Sequence, residues 1–178
     1  MNDKFQYRLS EDVKAAVAQN LIDILEKDVD INEQTIRFIC NWCRTGPDEK
    51  RKAFFDVWDL VLKNYLPAIT PILFRACEKI GKNGTIASFT GRLECARRFS
   101  GGEGFLLICD TKETLQFVGK FYKIGEYKHT FYPLVNVLKK AKDSGGCGFT
   151  ERFLNEFIGE DEYIMRINLD YGHSFRWT

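Results

Sequence analysis

Residues 157–167, FIGEDEYIMRI, place three acidic side chains directly before an apolar run. The apolar run predicts a buried strand, and the acidic residues predict the turn that leads into it. In an extended chain, side chains alternate between faces, so Glu160 and Glu162 would point the same way and Asp161 the opposite way. Two carboxylates in one space repel each other. The turn is therefore either an ordinary solvated one or a site prepared for a cation or a developing positive charge.

The composition indicates a soluble globular protein with one substantial core. The 178 residues are 44% hydrophobic, and 26 Lys and Arg nearly balance 25 Asp and Glu. This balance offers no strong field for nucleic acid or an anionic membrane, so nucleic acid is disfavoured as a partner. No apolar run reaches the roughly 20 residues that span a bilayer, and the N-terminus lacks the apolar core of a secretory signal. We expect a cytoplasmic protein with no membrane partner.

The six cysteines do not show the spacing of a small disulfide scaffold, and several lie inside apolar runs. We therefore predict reduced and mostly buried thiols. Cys40 and Cys43, in CNWC, have the spacing of half a zinc site, but no second Cys or His pair follows. We predict no bound metal, and we place both thiols on the packing faces of a helix.

The first third of the chain predicts helices. Apolar residues recur at helical spacing after Ser10, from about Asn32 and from about Pro47, and Pro67 ends the last pattern. Ser10 and the two acidic residues that follow it are typical of a helix start. We predict a helical N-terminal region over residues 1–66 that packs on the rest of the chain.

After Pro67 the pattern changes to short apolar runs separated by glycines. The runs predict strands at ITPILFRAC, GTIASFT, GFLLICD and EYIMRINL. Helices are predicted at RLECARRF, at YPLVNVLKKAK and after Asp110, which forms a possible capping box with Glu113. Helices first and strands later indicate an α+β protein, with a mixed β core over residues 67–178.

Polar residues interrupt or end these predicted strands at three places. Arg75 follows PILF, Ser88 and Thr90 lie two residues apart on one strand, and Glu160 and Glu162 precede YIM. Taken singly, each position is explained by solvation at a strand end. Their order along the chain is the informative feature.

In that order, these positions resemble the mono-ADP-ribosyltransferases of the arginine–serine–glutamate class, which include small bacteriophage enzymes and bacterial toxins. The family's first strand carries an LYRG-like segment, for which this chain has LFRA. Its second strand carries Ser-Thr-Ser before a helix, for which this chain has SFTGRLECARRF, with Phe89 in the middle position. Its third strand opens with Glu-x-Glu, here EDE. The similarity covers about residues 70–168, although Arg75 and Ser88 are closer in sequence than in many members.

The resemblance implies a fold of two packed sheets with flanking helices, and NAD as the substrate whose bond between nicotinamide and ribose is cleaved. It implies that Glu162 stabilises the cationic ribose. Ser88 would form a hydrogen bond to Glu162 or to the ribose and so orient the carboxylate, and Thr90 would support the same strand. Arg75 would bind the NAD phosphates, and the backbone at Ala76 would hold the nicotinamide amide. The chain has no glycine-rich dinucleotide fingerprint, which disfavours hydride transfer.

The resemblance also implies an arginine acceptor, because Glu160 is the family position that accompanies arginine modification. A carboxylate there can pair with a guanidinium and help to remove its proton. The segment FLNEFIG would belong to a loop that faces the target. Its Phe153 or Phe157 is either an exposed contact for the target or part of the core.

The leading hypothesis is an NAD-dependent protein-arginine mono-ADP-ribosyltransferase, a phage or effector protein that modifies a host protein in the host cytoplasm. With water as the acceptor, the same chemistry gives an NAD glycohydrolase. A nucleic-acid acceptor is disfavoured by the net charge of +1. A function of a different class is a non-catalytic protein that inhibits a host factor. The helical first third either packs over the NAD cleft or holds the protein target.

Overall fold

A computed structural model describes residues 7–46, 52–115, 130–145, 151–170 and 172–177. It begins with three helices, α1 (Glu11–Lys27), α2 (Glu33–Arg44) and α3 (Lys52–Asn64). The middle of the chain forms β1 (Ile72–Cys77), β2 (Ile86–Thr90), α4 (Leu93–Ser100), β3 (Phe105–Asp110) and the helical residues 111–115, named α5. The remainder forms β4 (Phe131–Pro133), α6 (Val135–Asp143), α7 (Glu151–Gly159), β5 (Glu162–Arg166) and β6 (Gly172–Arg176).

The helices of the first third begin where their capping residues predict. The Ser10 side chain accepts a hydrogen bond from the backbone N–H of Val13 at 3.4 Å. The Asn32 side chain accepts one from the backbone N–H of Thr35 at 2.9 Å. Each bond satisfies a backbone donor that the helix itself leaves without a partner. The third helix is described from Lys52, so its predicted start near Pro47 lies outside the described residues.

The six described strands form a single antiparallel sheet in the order β4-β5-β2-β1-β3-β6. The α+β class is therefore confirmed. The expected pair of packed sheets is not confirmed, because hydrogen bonds run through all the described strands from one edge to the other. The sheet has two halves, β4-β5-β2 and β1-β3-β6, which are joined by the pairing of β1 with β2. The sequence alone could not show this arrangement.

The pairing between β1 and β2 is confined to one position. β1 pairs with β3 along its whole length, from Ile72 opposite Asp110 to Cys77 opposite Phe105. β2 pairs with β5 in the same continuous way. Between β1 and β2, however, the described strands pair only where Phe74 lies opposite Thr90. The two three-stranded halves of the sheet therefore separate beyond this pair, and a cleft opens between them.

The first three helices pack on one face of the sheet and share its core. Their buried apolar side chains, such as Leu21 and Trp58, belong to the same cluster as Ile86 of β2 and Ile164 of β5. The hydroxyl of Tyr132 on β4 donates to the carbonyl of Leu21 on α1 at 2.5 Å. Because side chains alternate along a strand, Ser88 and Glu162 lie on the same face as Ile86 and Ile164. Ser88 and Glu162 therefore lie on the face that the helices cover.

Two predictions for the last part of the chain are wrong, and one strand there was not predicted. Residues 132 and 133 belong to β4, which is too short to give a periodic signal, and the helix begins only at Val135. FLNEFIG lies in helix α7 instead of a loop, because its apolar residues recur at helical spacing. The edge strand β6 was not predicted, since most of its side chains are exposed and show no apolar alternation.

The prediction of reduced thiols is correct for four cysteines and wrong for one. Cys43, Cys77, Cys95 and Cys109 have reduced thiols that form no disulfide. Cys40 is disulfide-bonded, which spacing alone cannot reveal because pairing depends on the fold. Cys147 and His129 lie outside the described residues. Within the described ranges, none of the helices combines the length and the apolar character that crossing a bilayer requires.

Truncation of Leu21 tests whether the helical first third shares the core of the sheet. Leu21 is fully buried, whereas Leu66 in the connection to β1 is 64% exposed. We expect Leu21→Ala to lower the free energy of unfolding by about 3–5 kcal/mol, because it leaves a cavity in a close-packed interior. Leu66→Ala is the matched control and should change it by less than about 0.5 kcal/mol. Urea denaturation measures both, and equal effects would contradict this packing.

Candidate functional site

The cleft between β1 and β2 has a volume of about 720 Å³. Side chains from both diverging strands and from the turn before β5 line it. They include all six residues that the sequence singled out: Arg75, Ala76, Ser88, Thr90, Glu160 and Glu162. The structure thus brings three separate segments of the chain to one cavity, although this proximity does not by itself assign a reaction.

Glu162 is the buried carboxylate of the cleft. It begins β5, is 9% exposed, and pairs in register with Thr90 of β2. Its Oε1 atom accepts hydrogen bonds from the Ser88 hydroxyl at 2.5 Å and from the Trp42 indole N–H at 3.2 Å. A buried carboxylate is costly unless donors compensate for its lost hydration. These two donors therefore stabilise Glu162 and fix its orientation.

Trp42 is a site residue that the sequence analysis missed. It lies in the last turns of α2, within CNWC, and its ring packs edge-on against Trp58 at 5.5 Å between centroids. A buried indole N–H requires an acceptor, but sequence spacing cannot show that the acceptor lies on a distant strand. Residues 43–46 and Phe55 also line the cleft. The helical first third thus contributes part of the wall of the cleft, and its role in holding a protein target stays a prediction.

Arg75 bridges the gap between the diverging strands. Its Nη1 donates to the backbone carbonyl of Ser88 at 2.7 Å. Burial lowers the pKa of Arg75 from its usual value, while the charges of Cys77 and Glu162 oppose this shift. A guanidinium keeps its proton throughout the physiological pH range and carries five N–H donors. Arg75 can therefore hold the Ser88 carbonyl and also meet an anionic group in the cleft.

Glu160 reaches the cleft from a turn and not from an extended strand. α7 ends at Gly159, and Asp161 has φ 49°, the left-handed conformation. Glu160 and Glu162 do line the same cavity. The expected cause, alternation along one extended strand, is wrong, because Glu160 lies in a turn. Thr90, which is 4% exposed, donates from its hydroxyl to the backbone carbonyl of Glu160 at 2.6 Å. Thr90 thus holds this turn in place.

The turn is also fixed by close approach to the end of β2. The backbone N–H of Gly91 donates to the carbonyl of Asp161 at 3.0 Å. A Cβ atom at Gly91 would lie 2.1 Å from Asp161 Oδ2, so a larger residue would displace that side chain. Hydrogen bonds to the backbone carbonyls of Glu160 and Asp161 therefore hold the acidic turn against the end of β2.

Glu160 differs from Glu162 in its electrostatic surroundings. Its side chain is 19% exposed, and its Oε1 lies 3.1 Å from Arg98 Nη2 on α4. Burial raises the pKa of Glu160, the negative charge of Glu162 raises it further, and Arg98 opposes both. Arg98 was not predicted as a site residue, because an exposed helical arginine carries no sequence signal. Glu160 is thus a partly desolvated carboxylate that already contacts a guanidinium.

The remaining candidates lie at the border of the cleft or away from it. Phe157 lines the cleft and packs on Phe153, with 4.6 Å between ring centroids, and both rings are half-buried. His173 is exposed on β6. Within the ranges that the structure describes, no group of three or more His, Cys, Asp or Glu is arranged to hold a metal ion.

Comparisons of the chain with protein-family models, with curated proteins and with solved structures found no match. The chemistry of the cleft is that of two carboxylates in unequal environments, a half-buried guanidinium and aromatic walls.

Replacement of Trp42 by Phe tests the indole bond to Glu162, and Trp58→Phe is the matched control. Both rings are buried in one aromatic cluster, but Trp58 Nε1 has no hydrogen-bond partner in the described part of the chain. Both substitutions remove the same atoms, whereas only Trp42→Phe removes a donor from a carboxylate. We expect Trp42→Phe to lower the free energy of unfolding by about 1.5–3 kcal/mol more than Trp58→Phe. Equal losses in urea denaturation would contradict this bond.

Proposed function

We propose that this protein transfers ADP-ribose from NAD to an arginine side chain of a target protein and releases nicotinamide. The observation that carries the proposal is the position of Glu162. This buried carboxylate is held by Ser88 and Trp42 in the same cleft as Arg75 and Glu160. Together these residues supply the groups that cleavage of NAD and attack by a guanidinium require.

Glu162 acts on the ribose in this proposal. When the bond between ribose C1′ and the nicotinamide nitrogen breaks, the ribose develops positive charge that resembles an oxocarbenium ion. A carboxylate that is already oriented stabilises this charge without reorganising during the reaction. The hydrogen bonds from Ser88 and Trp42 supply that orientation before substrate arrives.

Arg75 and the cleft walls bind the dinucleotide. The volume of about 720 Å³ lies within the range of about 300–1,000 Å³ that is typical of small-molecule sites. The Arg75 guanidinium offers charge and several donors to the phosphates. The backbone at Ala76 lies beside it on β1 and would hold the nicotinamide amide. Phe55 and Phe74 give the cleft aromatic walls against which a planar ring can stack.

Glu160 acts on the acceptor. Its carboxylate contacts the guanidinium of Arg98, so the position accepts the functional group that an arginine acceptor presents. A carboxylate with a raised pKa is a better proton acceptor than an ordinary glutamate at neutral pH. Glu160 would pair with the acceptor guanidinium and take its proton as the new C–N bond forms.

An NAD glycohydrolase is the second candidate, because Glu162 can promote cleavage whichever nucleophile follows. Incubation with labelled NAD and a bacterial lysate separates the candidates. A transferase places label on discrete proteins through arginine, which peptide mass spectrometry identifies. A glycohydrolase releases nicotinamide without labelling protein, and a non-catalytic binding protein leaves NAD intact.

Glu162→Gln should reduce nicotinamide release about a hundred- to a thousandfold, because the amide keeps the shape of the side chain but lacks the charge that stabilises the cationic ribose. Chromatographic measurement of nicotinamide, with and without lysate, gives the rate. Glu26→Gln is the control, since it makes the same change at an exposed position on α1. Wild-type rates in Glu162→Gln would refute this role.

The pH dependence of transfer should report the raised pKa of Glu160. Below that pKa Glu160 is protonated and cannot take the acceptor's proton, so transfer to arginine should fall as the pH falls. The midpoint should lie above the ordinary value of 4.5, because burial and the charge of Glu162 both favour the neutral form. The measurement is the ratio of ADP-ribose transfer to NAD hydrolysis at each pH, with agmatine as the acceptor. In this ratio, effects of pH that are common to both reactions cancel.

The same ratio in Glu160→Gln provides the control. This variant should lose transfer to agmatine at every pH and retain part of its NAD hydrolysis, because Gln cannot accept the proton. A ratio that does not change with pH in the wild-type protein, or a Glu160→Gln variant that transfers normally, would exclude Glu160 as the base.

A further inference from the structure

A second cavity, the α4–α7 groove, adjoins the cleft. It has a volume of about 620 Å³ and lies between Arg92, Arg98 and Phe99 on the α4 side and Asn155 and Glu156 on α7. Glu160 and Phe99 line both the groove and the cleft. The groove therefore gives access to the Glu160 carboxylate from outside the space assigned to NAD.

Arg98 is the side chain of the groove that contacts Glu160. Its Nη2 lies 3.1 Å from Glu160 Oε1, and its guanidinium also lies over the Phe99 ring at 5.2 Å from the centroid. The Arg98 side chain is 62% exposed, whereas Glu160 is 19% exposed. The arrangement pairs a protected carboxylate with a guanidinium that is largely in solvent.

The other guanidinium of the groove has a different role. Arg92 donates through Nη1 to the carbonyl of Gly159 at 3.0 Å and through Nε to Glu94 at 2.8 Å. The bond to Gly159 connects the start of α4 with the end of α7, and the bond to Glu94 lies within the start of α4. Arg92 therefore forms part of the wall, and Arg98 is the guanidinium placed at the Glu160 carboxylate.

We infer that Arg98 occupies the acceptor position of Glu160, and that an arginine acceptor enters through the α4–α7 groove and replaces it. The inference rests on the proposed function and adds the acceptor's route and an internal competitor for its site. The replacement exchanges one guanidinium for another, so the Glu160 carboxylate has a guanidinium partner both before and after the acceptor binds. Lysine would not reproduce the planar fork of donors that Arg98 presents.

The strength of the Arg98 contact is suited to displacement. Ion pairs with a solvent-exposed partner contribute about 0.2–1 kcal/mol in measured cases, which corresponds to about a 1.4- to fivefold effect on a competing equilibrium. An acceptor that pairs with both carboxylate oxygens forms stronger, charge-assisted bonds. Arg98 would keep Glu160 paired until such an acceptor arrives, at a small cost in apparent acceptor affinity.

The transfer step then balances without a further reactant. An acceptor nitrogen forms a bond to ribose C1′ as the bond to nicotinamide breaks, and nicotinamide leaves with the bonding electrons as a neutral molecule. The acceptor's proton passes to the Glu160 carboxylate and then to solvent. NAD and arginine therefore give ADP-ribosyl-arginine, nicotinamide and a proton, while Arg98 remains outside the reacting atoms.

Steady-state kinetics with agmatine as the acceptor test the inference in the full chain. Removal of the internal competitor should lower the KM for agmatine about 1.4- to fivefold in Arg98→Ala, with a smaller change in kcat. Arg98→Lys, which keeps a cation but not the fork, should lie between that variant and the wild type. Arg97→Ala is the matched control, since Arg97 is exposed on the same helix and should leave KM unchanged.

The outcomes separate the inference from the proposed function. A lower KM in Arg98→Ala, an intermediate KM in Arg98→Lys and an unchanged KM in Arg97→Ala together support the inference. An unchanged or higher KM in Arg98→Ala, with normal nicotinamide release, overturns the inference and leaves the proposed function intact. A wild-type protein that releases no nicotinamide from NAD overturns both. Because the Arg98 side chain is largely exposed, circular dichroism should show unchanged folding in every variant.

Discussion

The structure depends on the separation of β1 from β2 beyond their single pair, Phe74 opposite Thr90. Backbone groups that turn away from a partner strand must find another partner or water. Here the side chain of Arg75 replaces the missing neighbour and donates to the Ser88 carbonyl. One guanidinium thus joins the two halves of the sheet where the backbone ladder is interrupted. With this bond in place, β1 and β2 can pair at one position and still border a cleft beside it.

A buried negative charge beside that cleft imposes the second constraint. Glu162 is held by donors from two distant parts of the chain, the Ser88 hydroxyl and the Trp42 indole. The helical first third is therefore more than a cover for the sheet, because it provides one of the two donors. Replacing either donor by an apolar group would leave a buried carboxylate undersolvated. The need for two donors makes this site costly to fold, but the same two hydrogen bonds make the position of Glu162 rigid. A rigid position suits a carboxylate that is proposed to stabilise a short-lived cation.

The sequence predicted those features that local rules determine. These features are the cap at Ser10, the helix start near Asn32 and the apolar runs of β1, β2, β3 and β5, all of which depend on near neighbours in the sequence. Features that depend on distant contacts were missed. Trp42 and Arg98 carry no local signal, since their roles arise only when α2 and α4 are placed beside β5 and its preceding turn. The single sheet and the disulfide bond of Cys40 were not predicted for the same reason.

The junction between α7 and β5 gives its two carboxylates different freedom. Glu162 is the first residue of a paired strand, so the ladder with β2 fixes its backbone and two hydrogen bonds fix its side chain. Glu160 lies in the turn, where Thr90 holds its backbone carbonyl while its side chain contacts a largely exposed arginine. A motif with only one residue between two acids can therefore contain one immobile charge and one that can exchange partners. The proposed chemistry requires this asymmetry, because the ribose cation needs a fixed counter-charge whereas the acceptor must arrive, lose a proton and leave.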